Sequence, residues 1–550
     1  MTPPAGPEIL GRPIVSGKLA PPGRPAVPRQ PARPGAAAGG SVSEPGSYRA
    51  GPPLVWAIPA AVTLAVMLWG NQRPSYWRDE AATLAAVHRP LGALFRLLGN
   101  IDAVHGVYYM MMWADVRLAG TGEAATRLPS ALAMAAAAVG LAAIGRRLVS
   151  PRAGLFAGLV FAALPQISWY GQDVRPYALV TALGTLASYL LVRVLGGAAP
   201  RRRWLAAYGL ALAALGLINV LGLTLIPAHG LAVALGLRRT AGRPARRSLI
   251  AGWLAAAVAA VTLASPLIAA AWAQRGQEHW LKRPGLRTLA ALRYLIGPPA
   301  LIIVLLLIIG CAITISATGG RAGAGSSAWP RAMTALCLPW LLLPAAMLLA
   351  GSLIQPVYTL RYILFCLPAL ALLAGVALAT FGRVAGGCAL VVVLLAALPA
   401  QAAVRWHGAH GDNIRLADSI VAQTRRPGDA VLYASADAGE IAAAYPYGLA
   451  ALRNIALDQP PIPSGTLAGT YRPAAAVRGL LTQVRRVWVV EVGHGSLVRL
   501  PLLHGAGFQL VRSWRPRGLR LMLYQYRDKP YRRSREPWQA NPGTGPRPLP

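Results

Sequence analysis

The sequence predicts an α-helical polytopic membrane protein with about eleven transmembrane helices and a small α/β domain at its C-terminal end. Of the 550 residues, 55% are hydrophobic and only 13% are charged. Apolar runs of membrane-spanning length recur between residues 53 and 404, and a soluble protein does not carry such a series. Beyond residue 405 the apolar runs shorten to the lengths of strands and amphipathic helices.

Eleven apolar runs are long enough to cross or nearly cross about 30 Å of hydrocarbon at about 1.5 Å rise per residue. They cover approximately residues 53–70, 127–145, 153–169, 177–195, 204–220, 222–237, 248–270, 299–317, 332–350, 361–381 and 384–402. Residues 107–118 are a weaker twelfth candidate, which Asp115 and Arg117 interrupt. We interpret this segment as a helix lying at the membrane interface.

Arginine clusters between the apolar runs predict the orientation of the chain. The chain carries 54 Lys and Arg residues against 18 Asp and Glu, a formal net charge of +36. If residues 107–118 do not cross, the clusters at 146–152, 201–203 and 238–247 share one side, which the positive-inside rule makes cytoplasmic. The N-terminus is then cytoplasmic and the C-terminus outside a bacterial plasma membrane. Clusters this short, set between membrane spans, argue against nucleic acid as a partner.

The two ends of the chain differ from its middle. Residues 1–52 are rich in Pro, Gly, Ala and Arg without periodicity, which predicts a disordered cytoplasmic tail, and residues 529–550 predict a second disordered tail. Residues 405–528 predict an extracytoplasmic α/β domain that follows the transmembrane domain of residues 53–404 in the chain. Its expected strands are 428–435 and 485–493, followed by a hairpin of 508–514 and 519–526.

The stretch "SYWRDEAAT" places two adjacent carboxylates, Asp79 and Glu80, just beyond the first apolar run, in the predicted outer loop of residues 71–126. A carboxylate at a membrane surface can act as a general base or hold a divalent cation. Alternatively, both acids stabilise the N-terminus of the helix that follows. The stretch "DAVHGVYYMMMW" adds Asp102 and His105, which suit the same site, although Asp102 is also a reasonable helix cap.

Two arginines lie at the predicted outer ends of apolar runs. Arg175 stands in "GQDVRPYAL" and Arg361 in "YTLRYILF". A guanidinium binds phosphate through two parallel hydrogen bonds. The alternatives are an ion pair with Asp173 or a side chain that reaches the membrane interface along its apolar stem.

The loop at 271–298 carries Trp280 and Lys282 in "EHWLKRP". Its cations lie on the predicted outer side, against the charge rule, so we expect them to have a functional role. Trp280 serves as an interfacial anchor or stacks on a sugar ring. The four cysteines all lie in apolar runs without metal-ligand spacing, so no cofactor is certain and a divalent cation stays open.

These motifs, in this order, resemble the GT-C superfamily of integral-membrane glycosyltransferases. The resemblance spans about residues 53–400 and is greatest to the branch related to protein O-mannosyltransferases and aminoarabinose transferases. That branch carries an acidic "DE", a "D…HPPLYY"-like motif, an "R-x-Y-A-L" element and a late "R-Y". This chain shows them as Asp79-Glu80, Asp102 through Tyr108-Tyr109, Arg175 through Tyr177, and Arg361-Tyr362. It departs by having His105-Gly106-Val107 where many members carry Pro-Pro, a form associated with actinobacterial mannosyltransferases.

The resemblance implies an inverting transfer of a sugar, with mannose favoured, from a polyprenyl-phosphate donor to a hydroxyl group on a protein, lipid or polysaccharide acceptor. It implies Asp79 as general base, Glu80 and Asp102 as residues that position the acceptor or a metal ion, and Arg175 and Arg361 as cations for the leaving phosphate. His105, Tyr108, Tyr109, Tyr177, Trp280, Lys282 and Tyr362 are the further expected contacts with substrate. A polyprenyl-lipid transporter or a non-catalytic cell-envelope scaffold is the alternative function.

Overall fold

The computed structural model describes residues 54–236, 242–278, 281, 283–318, 328–435, 437–493 and 500–526. The two tails predicted to be disordered, 1–52 and 529–550, lie outside the described residues, as do Trp280 and Lys282.

The described chain is mainly helical, and the first seventeen helices precede the sheet. They are α1 Leu54–Leu68, α2 Arg78–Val87, α3 Leu91–Asn100, α4 Gly106–Ala119, α5 Glu123–Leu148, α6 Pro151–Ala163, α7 Pro165–Gly171, α8 Tyr177–Leu195, α9 Arg201–Ile218, α10 Leu225–Gly236, α11 Arg243–Ala273, α12 Leu286–Ala291, α13 Arg293–Ile296, α14 Pro299–Thr318, α15 Ala328–Ile354, α16 Leu367–Thr380 and α17 Arg383–Ala403. A further helix, α18 Ile414–Thr424, lies just before the first strand, and three lie among the strands: α19 Pro461–Ser464, α20 Ala474–Leu481 and α21 Leu500–Gly505.

The predicted multi-pass membrane architecture is confirmed. Within the described ranges, seven helices are long and apolar enough to cross a membrane, and the pair α6 and α7, bent by 69°, makes an eighth if it counts as one span. The other three predicted spans are also helical, but α1 and the segment Val220–Gly236 are short. Three arginines open α9 and shorten its apolar part. Each of the eleven predicted spans is therefore helical where the structure describes it, with α6 and α7 counted as one span. Seven of them, or eight with this bent pair, have the length and composition needed to cross a membrane.

Helix α4 covers the segment for which two interpretations were open. It has 14 residues, which give it a length of about 21 Å. It is shorter than the hydrocarbon layer and is not among the described helices that are long and apolar enough to cross a membrane, which favours the interfacial interpretation over a twelfth span. Its place at the membrane interface stays a prediction.

Small residues let the central helices approach closely. A Cβ atom added at Gly154 of α6 would lie 2.2 Å from the carbonyl oxygen of Ala142 in α5. One added at Gly375 of α16 would lie 2.3 Å from the backbone nitrogen of Ala157 in α6. Backbones this close gain dispersion energy that larger side chains would prevent. This tight core fixes α7 and α8, and therefore the turn of residues 172–176 between them.

The predicted C-terminal sheet is present, and the structure adds three short strands that the sequence did not indicate, one of them in the sheet. Its five strands lie in the order β2-β1-β5-β7-β6. β1 is parallel to β2 and β5, and β7 is antiparallel to β5 and β6. The strands are β1 Ala430–Tyr433, β2 Arg453–Asn454, β5 Arg486–Val492, β6 Phe508–Trp514 and β7 Leu519–Tyr526, and a separate pair is formed by β3 Leu457–Gln459 and β4 Thr470–Tyr471.

The sheet region holds the segment that contains α2. The backbone N–H of Ser75 donates to the carbonyl of His407 over 2.9 Å, and the Ser75 hydroxyl accepts from the N–H of Arg415 over 2.9 Å. The buried guanidinium of Arg89 donates to the carbonyls of Pro461, Thr466 and Leu467. The acidic stretch is therefore packed between the helical bundle and the C-terminal region.

Candidate active site

A large cavity lies where the helical bundle meets the C-terminal region. Its volume is about 1230 Å³. An apolar part of its wall comes from the end of α11, with Ile268, Ala271 and Trp272, and another part comes from the C-terminal region, with Ser435, Glu440 and Thr466. The predicted site residues that line it are Asp79, Asp102, His105, Arg175, Arg361 and Tyr362.

Asp79 and Arg361 form an ion pair in the cavity wall. Oδ2 of Asp79 lies 2.8 Å from Nη1 of Arg361, and the two side chains are 16% and 15% exposed. The Arg361 guanidinium also lies 5.9 Å from the ring centres of both Trp77 and Tyr177. Folding thus joins the predicted base and a predicted phosphate-binding cation. In the sequence, most of the helices of the bundle lie between these two residues.

Arg175 connects this ion pair to the second acidic motif. Its guanidinium donates to the backbone carbonyl of Asp79 over 3.4 Å and lies 3.1 Å from Nε2 of His105. Because a guanidinium has no acceptor, Nε2 of His105 must accept this hydrogen bond. Burial, together with the positive charges of Arg175 and Arg361, lowers the pKa of His105 well below its usual value, so the ring is neutral.

Asp102 is held by Tyr109 in an uncommon backbone conformation. The Tyr109 hydroxyl donates to Oδ2 of Asp102 over 2.8 Å. Asp102 has φ 58° and ψ 22°, and within the part of the chain that the structure describes it is the one non-glycine residue with positive φ. Non-glycine residues adopt this left-handed backbone conformation at an energetic cost, and residues that do so concentrate at functional sites. Burial raises the pKa of Asp102, and the positive charge of Arg175 opposes this effect.

The four predicted tyrosines occupy two layers. Tyr362 lines the cavity, and its ring centre lies 6.2 Å from that of Tyr177 behind it. Tyr108 and Tyr109 are both buried in the packing between α4 and its neighbours. Three of the four therefore support the cavity wall, and Tyr362 is the one placed to contact a substrate.

Glu80 points away from the cavity into the protein. Its carboxylate accepts from Nε and Nη2 of Arg127 over 2.9 and 2.8 Å, and both side chains are fully buried. It also accepts from the backbone N–H of Val174 over 3.0 Å and that of Trp77 over 3.3 Å. The predicted role of Glu80, to position the acceptor or a metal ion, stays a prediction, and the structure places its carboxylate in a buried ion pair.

Arg78 and Asp412 were not predicted as site residues, and together they hold the start of α2. Asp412 accepts from Nε and Nη2 of Arg78, each over 2.9 Å, and from the Arg78 backbone N–H over 3.1 Å. Asp412 is buried, and a Cβ atom at Gly518 would lie 2.0 Å from its Oδ1. The sequence carried no signal for this pair, because Asp412 follows the last span by several residues and has no motif around it.

We expect Asp412→Ala to loosen the start of α2. The change removes three hydrogen bonds, two of them to a charged group that is partly exposed, and should cost about 1–2 kcal/mol locally. Hydrogen exchange of peptides from residues 76–90 should become about 10-fold faster. Asp458→Ala is the matched control, since Asp458 is 51% exposed in its pair with Arg472. Unchanged exchange in Asp412→Ala would contradict the assigned role.

The comparisons with known proteins agree with this architecture. Residues 106–272 match the family model for "Dolichyl-phosphate-mannose-protein mannosyltransferase". The structure of ArnT from Cupriavidus metallidurans in the apo state is similar, with 16% identity and a TM-score of 0.55, over 85% of this chain and 97% of that one. ArnT from the same organism bound to undecaprenyl phosphate gives a TM-score of 0.54 at 16% identity, over 86% of this chain and 98% of that one.

This chain has the GT-C fold. The likeness covers nearly the whole of ArnT, and the sequence match falls on the stretch that includes Tyr108, Arg175 and Tyr177. The resemblance to the GT-C superfamily predicted from the order of the motifs is confirmed, while the branch within it stays a prediction. No curated protein is similar enough in sequence to match the chain.

Proposed function

We propose that this GT-C chain is an inverting glycosyltransferase that moves a sugar, with mannose as the first candidate, from a polyprenyl-phosphate donor to a hydroxyl acceptor on the outer face of a bacterial plasma membrane. The observation that carries the proposal is the Asp79–Arg361 pair in the wall of a cavity that runs from an apolar helix to the C-terminal region. The matched family model names a dolichyl-phosphate donor, and the ArnT structure holds undecaprenyl phosphate. Both are lipid phosphates.

Asp79 is the proposed general base. The acceptor oxygen attacks the anomeric carbon as its proton passes to the Asp79 carboxylate, and the bond from that carbon to the phosphate oxygen breaks. A single displacement of this kind inverts the anomeric centre. A positioned base of this type contributes about 10²- to 10⁴-fold to a rate.

Arg175 and Arg361 are the proposed cations for the departing lipid phosphate. Both line the cavity, both lie beside Asp79, and both side chains are largely withdrawn from water. A fixed guanidinium in a site that excludes water stabilises developing negative charge more strongly than water does. Because these cations are in place before the donor arrives, little reorganisation is needed during the reaction.

The cavity walls suggest how the two substrates are arranged. The apolar end of α11, with Ile268 and Trp272, suits the first isoprene units of a lipid donor. The wall from the C-terminal region, with Ser435, Glu440 and Thr466, suits a hydroxyl-bearing acceptor. Asp102, on the same cavity, is the proposed residue that orients the acceptor hydroxyl.

We expect membranes that contain the chain to transfer labelled mannose from polyprenyl-phosphate mannose into a new glycoside. The product is separated from the donor and tested for an inverted anomeric linkage, and membranes without the chain give the background. A transporter would move the donor across the membrane without forming a glycosidic bond, and a scaffold would do neither. Transport of donor with no glycoside from any sugar in a panel of polyprenyl-phosphate donors would overturn the proposal.

A further inference from the structure

Glu80, Asp173 and His410 meet at the wall of the cavity, which His410 lines and the two acids do not. One carboxylate oxygen from each acid and one ring nitrogen of the histidine all lie within 4.8 Å of one another. Asp173 and Glu80 are fully buried, and His410 is 1% exposed. The three residues come from α2, the α7–α8 turn and the chain that enters the C-terminal region, so their meeting is a result of the tertiary fold.

The polar atoms of this cluster are incompletely satisfied. Both ring nitrogens of His410 and Oδ2 of Asp173 are buried and have no hydrogen-bond partner among the described residues. A buried group left in this state costs about 1–3 kcal/mol. Asp173 accepts from the indole N–H of Trp77 over 2.9 Å through its other oxygen, and the His410 ring stacks on Trp169 with centres 4.7 Å apart. Both side chains are therefore fixed in place while these atoms stay unpaired, which points to a bound species.

The spacing favours an ion over a direct hydrogen bond. Asp173 and His410 make no hydrogen bond with each other, although a carboxylate oxygen of Asp173 and a ring nitrogen of His410 lie within 4.8 Å. Two ligands that each lie about 2.0–2.4 Å from one ion are separated by at most about 4.8 Å. The atoms are thus close enough to share an ion between them.

The charge of the cluster also favours a cation. Glu80 is neutralised by Arg127, but the described residues give Asp173 no salt bridge. A neutral imidazole is the form that binds a metal, and a second positive centre would stabilise the Asp173 carboxylate.

We propose that Asp173, His410 and Glu80 bind a divalent metal ion, with Zn²⁺ as the first candidate. One imidazole and two carboxylates are a donor set that suits zinc and leave one position for water. Asp173 and His410 supply the unpaired atoms. Glu80 already accepts four hydrogen bonds, and the longest of them, 3.3 Å from the Trp77 N–H, is the one that a metal ion displaces.

Such an ion would cross-link the three segments that position Asp79 and Arg175. Its expected role is structural, because two of its three ligands, Glu80 and Asp173, do not line the cavity in which Asp79 and Arg361 lie. The proposal does not depend on the proposed function, since metal retention is measured without sugar transfer.

The test uses the full-length chain, purified in detergent, stripped with a chelator, incubated with Zn²⁺ and passed through gel filtration. We expect about one zinc per chain, and less than about a tenth of that in His410→Gln and Asp173→Asn. The matched control is His407→Gln, three positions earlier, where the ring is exposed and should leave zinc retention unchanged. A parallel incubation with Mn²⁺, which carboxylate ligands also suit, tests a second divalent ion.

Retention of neither ion by the unmodified chain would overturn the proposal, and so would equal retention by His410→Gln. X-ray absorption at the zinc edge of the unmodified chain requires no variant to fold. Scattering from one imidazole with oxygen ligands supports the site, and a shell of oxygen ligands alone contradicts it.

Discussion

Asp79→Asn should lower the initial rate of sugar transfer by about 100-fold or more. Asparagine has nearly the same shape as aspartate, and its side-chain oxygen can lie beside the Arg361 guanidinium as the carboxylate does at 2.8 Å, so the wall of the cavity should keep its shape. The amide cannot take a proton from the attacking hydroxyl. Donor binding should change little, because Arg175 and Arg361 both remain, and the loss is therefore expected in kcat with KM for the donor nearly unchanged.

The measurement is the initial rate of transfer from polyprenyl-phosphate sugar, at matched protein levels, with separate titrations of the donor. Asp458→Asn is the control, because this exposed carboxylate does not line the cavity. The assignment of Asp79 as the base would be wrong if the kcat of Asp79→Asn were within a factor of two of that of the unmodified chain, under conditions where chemistry limits the rate. In that case Asp102 would be the next carboxylate to test, since it lines the same cavity.

Arg127→Met should destabilise the folded protein by about 3–5 kcal/mol, because it leaves the fully buried Glu80 without its counter-charge. The loss goes further than one ion pair. Arg127 also donates to the backbone carbonyls of Asn71 and Pro74 over 2.6 and 2.9 Å. These carbonyls belong to the turn that leads into α2, so the turn should lose its order together with the pair.

Thermal unfolding of the detergent-solubilised chain, followed by loss of the monodisperse peak in gel filtration, measures this effect. The double variant Arg127→Met, Glu80→Gln should recover part of the lost stability, because removing both charges of a buried pair costs less than removing one. Arg117→Met is the control, since its side chain is more exposed and contacts only backbone carbonyls and an aromatic ring. A midpoint for Arg127→Met equal to that of Arg117→Met would contradict the assigned role.

The neighbouring acids Asp79 and Glu80 show which features of a site can be predicted from the sequence and which depend on the tertiary structure. Both stand in the first turn of α2, where acids stabilise the helix N-terminus. Successive residues of a helix point about 100° apart, and in α2 this angle gives the two carboxylates different surroundings. Asp79 faces the cavity and Glu80 meets Arg127 in the interior. The sequence identified the acidic pair, but only the orientation of α2 distinguished its two members.

For Arg175 and Arg361, too, the sequence predicted the residues and the structure decided their partners. Arg175 and Arg361 were predicted as cations at the ends of two spans, each with a structural alternative. The structure brings them together beside Asp79 and rules out a direct ion pair between Arg175 and Asp173 among the described residues. Trp280 and Lys282, predicted from a neighbouring loop, lie outside the described residues and stay predictions.

The sequence by itself determined the membrane class, the places of the helices, the strands β1, β5, β6 and β7, and the order of the motifs that resemble the GT-C superfamily. These features follow from hydrophobic patterning and local motifs, which act over a few turns of helix or a few residues of strand. The tertiary structure alone decided that Asp79 pairs with Arg361, that Asp412 anchors α2, and that His410 joins Glu80 and Asp173. Each of these contacts joins residues separated by more than 200 positions in the chain, and its geometry depends on how close-packed helices cross. No local pattern in the sequence records that crossing.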